Sequence, residues 1–480
     1  MTVSLNNTIV GKDVSFGTSG LRGTVEDLSE EVVASAARAF VAHMRVKAGD
    51  DVAQRLYLAY DLRPSSPKIA RQVASALVAE GVTVTSFGAI PTPALALQSI
   101  GDGVPAIMVT GSHIPFDRNG LKFYDHLGEI SKVDEKAIAT GTLARMEHST
   151  EVDLIVSDTA RSGYIGRYVD AFPGLLAGKR VGVYQHSAVG RDINCEVFEQ
   201  LGATVTALGR SDTFVPVDTE AVSAKDRAQA RDWAREHELD FVFSTDGDGD
   251  RPLMSDETGA YFDGDLLGIL TARFLGVGTV VTPITSNSRL EKTGWFEAVS
   301  RTKVGSPYVL ASMAEAKAEP IAGFEANGGF LLQSQVDSSN ADIEGRLAAL
   351  PTRDALLPAL ATFALAKQLN CRLSELRQLV GQRVKMSDRL QDVPKASSLA
   401  LLESLESSSA DRADFFADLG SVAEIDTLDG LRVTLDDGRI AHLRPSGNAP
   451  ELRVYVETDT EAASADLLAQ MLKRAKAAIA

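Results

Sequence analysis

Short apolar runs alternate with longer amphipathic stretches along the first two thirds of the chain. Arg55 to Asp61 (RLYLAYD) reads as a strand, Pro67 to Glu80 as a helix and Val82 to Thr85 as a second strand. The same order returns further on, with a strand at Arg180 to His186 (RVGVYQH), a helix through Gln200 and a strand at Ala203 to Thr206. The two closing strands share a phrase, EGVTVT and LGATVT, at the same place in their units. A third unit is expected between Thr279 and Val304. Strands alternating with helices predict βαβ units and mostly parallel sheets.

The tail breaks this rhythm. From Ala423 to Glu457, strand-like runs are separated by Asp429-Gly430 and Asp437-Gly438, which are hairpin turn signals. An Ala-rich helix is expected from Thr460 onward, and Leu402 to Asp411, with no clear period, reads as a surface loop or helix edge. The reading is therefore α/β: three tandem α/β domains with mixed, mostly parallel sheets, and a C-terminal α+β domain. The expected boundaries are 1–157, 158–260, 261–380 and 381–480.

A chain of 480 residues is longer than one core organises, which agrees with several domains. Its 65 acidic and 48 basic residues give a net charge of −17, which argues against nucleic acid as a partner. A small anionic substrate stays open if cations converge on one pocket. Cys195 and Cys371 have neither metal-ligand spacing nor disulfide density, and a cytoplasmic protein with no membrane contact is expected. Oligomeric state is left open.

The sharpest chemical signal is Phe241 to Met254, FVFSTDGDGDRPLM. An apolar strand ends in Asp246, Asp248 and Asp250, with glycines between them that let the backbone wrap. Three carboxylates on alternate residues make a hard-oxygen cage suited to Mg²⁺. A calcium loop is the rival, since Glu257 stands at its twelfth position, but Arg251 occupies the place of its glycine and a strand leads in.

Four further loops carry polar chemistry. In VTGSHIPFDRNGLKFY, Ser112 follows the apolar run Ala106 to Val109, next to His113, with Lys122 ten residues on. A serine so placed suggests a nucleophile or phosphoryl carrier, and Lys122 a proton donor and acceptor. No G-x-S-x-G elbow supports a serine hydrolase. In LRPSGNAPELRVYV, Arg444 and Arg453 flank the turn Ser446, Gly447, Asn448, a natural phosphate cradle. GFEANGGF offers Glu325 and Asn327 to sugar hydroxyls, and FGTSGLRG brings Arg22 to a turn. Each of these four loops, taken alone, could be an ordinary turn.

Together and in order, FGTSGLRG, TGSHIP, DGDGDR, GFEANGG and RPSGNAPELRVY closely resemble the signature loops of the α-D-phosphohexomutase superfamily, from residue 16 to 457. That family contains phosphomannomutases, phosphoglucomutases and phosphoglucosamine mutases. The resemblance implies a heart-shaped, four-domain molecule with one loop from each domain around a central cleft. It also implies Mg²⁺ held by Asp246, Asp248, Asp250 and a phosphate on Ser112, with a sugar 1,6-bisphosphate as intermediate and activator. Lys122, assisted by His113, would be the acid and base, and Arg251 would offset charge on the transferring group. Arg22, Lys303 and Gly305 (the last two in TKVGSPY) join Glu325, Asn327, Arg444, Ser446, Gly447, Asn448 and Arg453 as expected substrate contacts. The expected partner is a small-molecule sugar phosphate, with mannose ahead of glucose and glucosamine. A Mg²⁺ phosphohydrolase or a metal-dependent binding protein are the readings from other classes.

The chain departs from the family pattern at three loops. Gly111 and Ile114 stand where T-A-S-H-N-P has alanine and asparagine. Asn327 and Gly329 replace the serine and histidine of G-E-x-S-G-H, and Asn448 and Ala449 replace threonine and glutamate.

Overall fold

The computed structural model describes residues 2–17, 19–144, 152–446 and 450–479. Its main sheets follow one plan three times. In the first, the neighbouring strands are Thr83–Ala89, Arg55–Tyr60, Ala106–Val109 and Arg118–Asp125. The second runs Thr204–Leu208, Arg180–Tyr184, Phe241–Thr245, Pro252–Met254, and the third Ala298–Thr302, Thr279–Pro283, Ile321–Phe324, Phe330–Leu332. In each, the first three strands are parallel and the fourth is antiparallel. The two repeated phrases of the sequence fall on the equivalent edge strands. The first sheet is extended by Leu21–Thr24 and Val14–Phe16, the third by Leu350–Asp354.

This plan decides where chemistry can occur. The link from the third strand to the fourth is a tight turn at the carboxyl end of a parallel strand, where open α/β sheets bind ligands. The serine loop, the metal loop and the sugar loop are those three links, at 110–117, 246–251 and 325–329.

The fourth sheet is wholly antiparallel, in the order Val384–Leu390, Leu452–Thr458, Ile440–Pro445, Leu431–Leu435, Val422–Asp426. Both expected hairpin turns join neighbouring strands of it. The closing helix Glu461–Ile479 buries Leu467, Met471 and Ala475, one stripe four residues apart, against this sheet. Of the two readings of Leu402 to Asp411, surface loop or helix edge, the second holds. The segment belongs to the helices Lys395–Ser407 and Ser409–Phe416, because Leu401, Leu402 and Leu405 form a buried face. Ser408 breaks the run and caps the second helix by accepting from the Asp411 N–H.

The main apolar cluster runs through all three α/β units and includes Phe87, Phe243 and Phe324, whereas the fourth sheet has its own core around Leu443, Val454 and Met471. Among the described residues no helix is long and apolar enough to cross a membrane.

Candidate active site

The serine loop is built around a buried arginine. Arg63, at the end of strand Arg55–Tyr60, donates to the carbonyls of Ser112 (2.8 Å), Ile114 (2.5 Å), Pro115 (2.6 Å) and Arg118 (3.0 Å). Asp61, 3.3 Å from its Nε, holds its charge. A Cβ on Gly111 would lie 2.6 Å from the Arg63 Cζ, so glycine here makes room for the clamp. The clamped turn places Ser112 at φ 54, in the left-handed region, with its N–H bonded to the Thr110 hydroxyl.

Ser112 Oγ donates to Asp246 Oδ2 at 2.6 Å, which joins the serine loop to the metal loop. The two loops touch so closely that a Cβ on Gly247 would lie 2.7 Å from the Ser112 carbonyl. Asp246 Oδ1 accepts from the N–H groups of Asp250 and Arg251. Asp248 Oδ2 accepts from Thr92 Oγ1 (2.7 Å) and Lys122 Nζ (2.6 Å), and Lys122 also donates to Asp250 Oδ2 at 2.7 Å. Lys122 reaches them because strand Arg118–Asp125 returns beside the strand that carries the serine loop.

The three carboxylates can bring one oxygen each to within 4.8 Å of one another, all from buried residues. Asp248 Oδ1 and Asp250 Oδ1 are buried with no hydrogen-bond partner. Orphaned carboxylate oxygens beside one another are what a hard divalent cation would satisfy, so the donor set fits Mg²⁺. Glu257, the closing ligand of a calcium loop, instead accepts from Ser374, and that reading fails in space as well.

Electrostatics follow from crowding. Burial, with Asp248 and Asp250 close by, raises Asp246 well above the usual carboxylate range. Burial works in the same sense on Asp248, but the Lys122 ammonium outweighs it and holds that group below its ordinary value. Arg251 donates from Nη1 to His113 Nδ1 at 2.9 Å. The charge of Arg251, with burial, depresses His113 to about 2, so it is a neutral acceptor at physiological pH. Arg22 is on strand Leu21–Thr24 opposite Gly120. Burial and the nearby Arg251 lower it to about 10.

The sugar loop approaches through a residue the motifs do not contain. Arg353 donates from Nε to Asp250 Oδ2 (3.0 Å) and from Nη1 to Glu325 Oε2 and Ser306 Oγ (3.0 Å each). Asn327 turns its Oδ1 to the Gly329 N–H, and its carbonyl accepts from Thr219, so it braces the loop. Gly305, at φ 129, starts the helix Ser306–Glu315, and Lys303 before it is exposed. The Val304 N–H between them bonds Asp429 Oδ2 at 2.9 Å, the same oxygen that accepts from Arg444 Nε at 2.7 Å. The fourth sheet is thereby tied to the third.

On the fourth sheet Arg444 and Arg453 are directly opposite one another on neighbouring strands, and Arg389 stands opposite Arg453 on its other side. Asp429 pairs with Arg444 at 2.7 Å, and Glu451 lies 3.4 Å from Arg389 and 3.7 Å from Arg453, so two carboxylates serve three cations and the row keeps a net positive charge that suits an anion. Ser446 is buried, and Gly447 and Asn448 lie outside the described residues. Sequence reasoning missed Arg63, Thr92, Arg353 and Arg389. Arg63 did leave a signal, as an arginine just past the apolar strand RLYLAY, whereas Arg353, on the mostly polar strand LPTRD, left none.

Comparison with known proteins agrees with this geometry. Four models of phosphoglucomutase/phosphomannomutase match in order: α/β/α domain I at residues 13–148, domain II at 167–259, domain III at 263–383 and the C-terminal domain at 369–474. The chain is 46% identical over 470 residues to a phosphomannomutase of Salmonella muenchen, covering 96% of each. It is 44% identical to one of Sinorhizobium fredii, covering 95% of this chain and 98% of that one. A crystal structure of a phosphoglucomutase/phosphomannomutase family protein from Burkholderia thailandensis superposes with a TM-score of 0.77 at 20% identity, covering 99% and 98% of the two chains. The chain belongs to the phosphoglucomutase/phosphomannomutase family, within the α-D-phosphohexomutases. Its four-domain α/β architecture is that family's.

Proposed function

We propose that the chain interconverts hexose 6-phosphate and hexose 1-phosphate, with mannose phosphate as its main substrate, through a phosphoryl group carried on Ser112. The observation that carries this reading is the Ser112 Oγ at 2.6 Å from Asp246, in a cage whose other carboxylates are bridged by Lys122. The divisions 1–157, 158–260, 261–380 and 381–480 each supply one working loop.

Mg²⁺ held by Asp246, Asp248 and Asp250 would neutralise charge on the transferring phosphoryl group. The residues of the chain do the rest. Phosphorylated Ser112 gives its group to a sugar hydroxyl: the Oγ–P bond breaks, a bond from phosphorus to the sugar oxygen forms, and a 1,6-bisphosphate results. Lys122, as the free amine, takes the proton of the attacking hydroxyl; as the ammonium that bonds Asp248 and Asp250, it returns the proton to the leaving oxygen. His113 is a neutral acceptor that holds Arg251 over the transferring group. The bisphosphate turns over and gives its other phosphate back to Ser112. The row of Arg444 and Arg453, with Ser446, Gly447 and Asn448, grips the phosphate that is not reacting, and Arg22, Lys303 and Gly305 complete the grip. Glu325 accepts from sugar hydroxyls beside Asn327. Added sugar 1,6-bisphosphate activates the enzyme by charging Ser112.

Mannose is favoured by the names of the two bacterial relatives. Glucose shares every contact except that at C2, so glucose 1-phosphate is turned over more slowly. Parallel kcat/KM measurements on mannose, glucose and glucosamine 1-phosphates, with free phosphate followed in the same samples, test this. The expected order is mannose, then glucose, then glucosamine, with no phosphate released. A preference for glucosamine refutes the substrate, and stoichiometric phosphate release refutes the mutase.

A further inference from the structure

Arg353 sits between two loops that the chemistry needs in register. It lies on strand Leu350–Asp354, where successive side chains point to opposite faces. Its neighbour Asp354 accepts from Tyr164 and Tyr168 of the helix Thr159–Ala171, which anchors the strand from behind. Arg353 itself points to the other face, toward Asp250 and Glu325, and is 3% exposed.

The planar guanidinium bonds a metal-loop carboxylate through Nε and the sugar-loop carboxylate through Nη1, both at 3.0 Å. The Asp250 oxygen it holds is the one that accepts from Lys122. Room for the stem comes from Gly329, where a Cβ would lie 2.7 Å from the Arg353 Cδ and 2.8 Å from its Cγ. A rigid fork with donors on two edges fixes two carboxylates relative to one another, and a lysine, with one point of charge, does not.

We propose that Arg353 is a positioning residue of phosphoryl transfer, setting the sugar-binding Glu325 against the Asp250–Lys122 pair so that a seated sugar hydroxyl meets the acid–base group. This rests on the mutase reading above. It predicts that Arg353 and Glu325 act as one unit.

The test is a double-mutant cycle on mannose 1-phosphate turnover with Arg353→Gln, Glu325→Gln and the pair combined. Each single variant should lose about tenfold or more in kcat/KM, and the double no more than the worse single. Arg353→Lys should not rescue, and kcat should fall with it. An arginine that merely staples the fold gives losses that multiply, or activity restored by lysine, and either result overturns the assignment. Should Arg353→Gln fail to fold, Gly329→Ala displaces the stem and keeps the charge; it should lower kcat/KM by a similar factor, and an unchanged value overturns the proposal. Wild-type protein without mutase turnover overturns both readings, whereas active wild type with multiplying losses overturns this one alone.

Discussion

Replacing Arg63 by methionine removes the clamp on the serine loop while keeping much of its bulk. Three of the four carbonyls it serves, those of Ile114, Pro115 and Arg118, belong to partly exposed residues, and water can take over those bonds. Two losses cannot be made good. The carbonyl of fully buried Ser112 is left unpaired, at about 1–3 kcal/mol. Buried Asp61 loses its cation, and breaking such a pair costs about 3–5 kcal/mol, reduced here because Asp61 keeps its bonds from Ser66 and Thr110. The left-handed Ser112 stores about 1–2 kcal/mol that the freed loop can release by relaxing. The loop therefore moves before the domain unfolds, and Ser112 leaves its 2.6 Å contact with Asp246. A displacement of about 1 Å at a reacting group costs about 100-fold in rate. Steady-state kcat should fall by about that factor with KM within about threefold, since the phosphate grip is elsewhere. Intact mass should show slower phosphorylation of Ser112 by glucose 1,6-bisphosphate, and circular dichroism an intact fold. Arg63→Met protein with a wild-type kcat would refute the clamp.

Asp248→Asn removes one charge from the cage at nearly constant shape and should weaken Mg²⁺ binding, measured by calorimetry, by about 100-fold or more, since a group behind a metal ligand is already worth about 10–100-fold; unchanged binding would remove Asp248 from the ligand set. Arg444→Ala should raise KM for the sugar phosphate by about 10–100-fold, the worth of one or two charge-assisted hydrogen bonds of about 1.5–3 kcal/mol, with kcat affected less; an unchanged KM would mean the row of arginines does not grip phosphate. Burial depresses His442 to about 4, so between about pH 6.5 and 4 the unfolded chain binds a proton that the folded chain refuses, and stability present above pH 6.5 is lost as the pH falls. The loss from this group is at most about 3 kcal/mol, and His442→Gln should flatten the decline of Tm over that interval; an identical slope would show that His442 does not titrate differently in the two states.

Periodicity was a good guide where an element has one wet and one dry face. The edge strands carrying EGVTVT and LGATVT, the third βαβ unit and the hairpins at Asp429-Gly430 and Asp437-Gly438 all lie where the pattern puts them. It left Leu402 to Asp411 as a loop or a helix edge, and the second is right: the segment runs from the end of one helix across the break at Ser408 into the next, so no single period spans it. Within the site, residues clustered on one turn, such as Asp246, Asp248 and Asp250, announce themselves by spacing. Arg63 and Arg353 do not, because each works on a loop about 50 or about 100 residues away, and only the sheet order brings them there. The same two arginines account for the departures at Gly111 and Gly329, since the space a larger side chain would need is already filled by a guanidinium stem or head.

The central claim is that Ser112 carries the phosphoryl group, and intact-mass spectrometry tests it most directly. Protein incubated with glucose 1,6-bisphosphate and Mg²⁺ should gain one phosphoryl group, mapped to the peptide containing Ser112. Mannose 6-phosphate should then remove it, while Ser112→Ala shows neither the gain nor any turnover. An alanine variant that isomerises mannose phosphate at the wild-type rate, or a phosphoryl group mapped to another residue, would contradict the account.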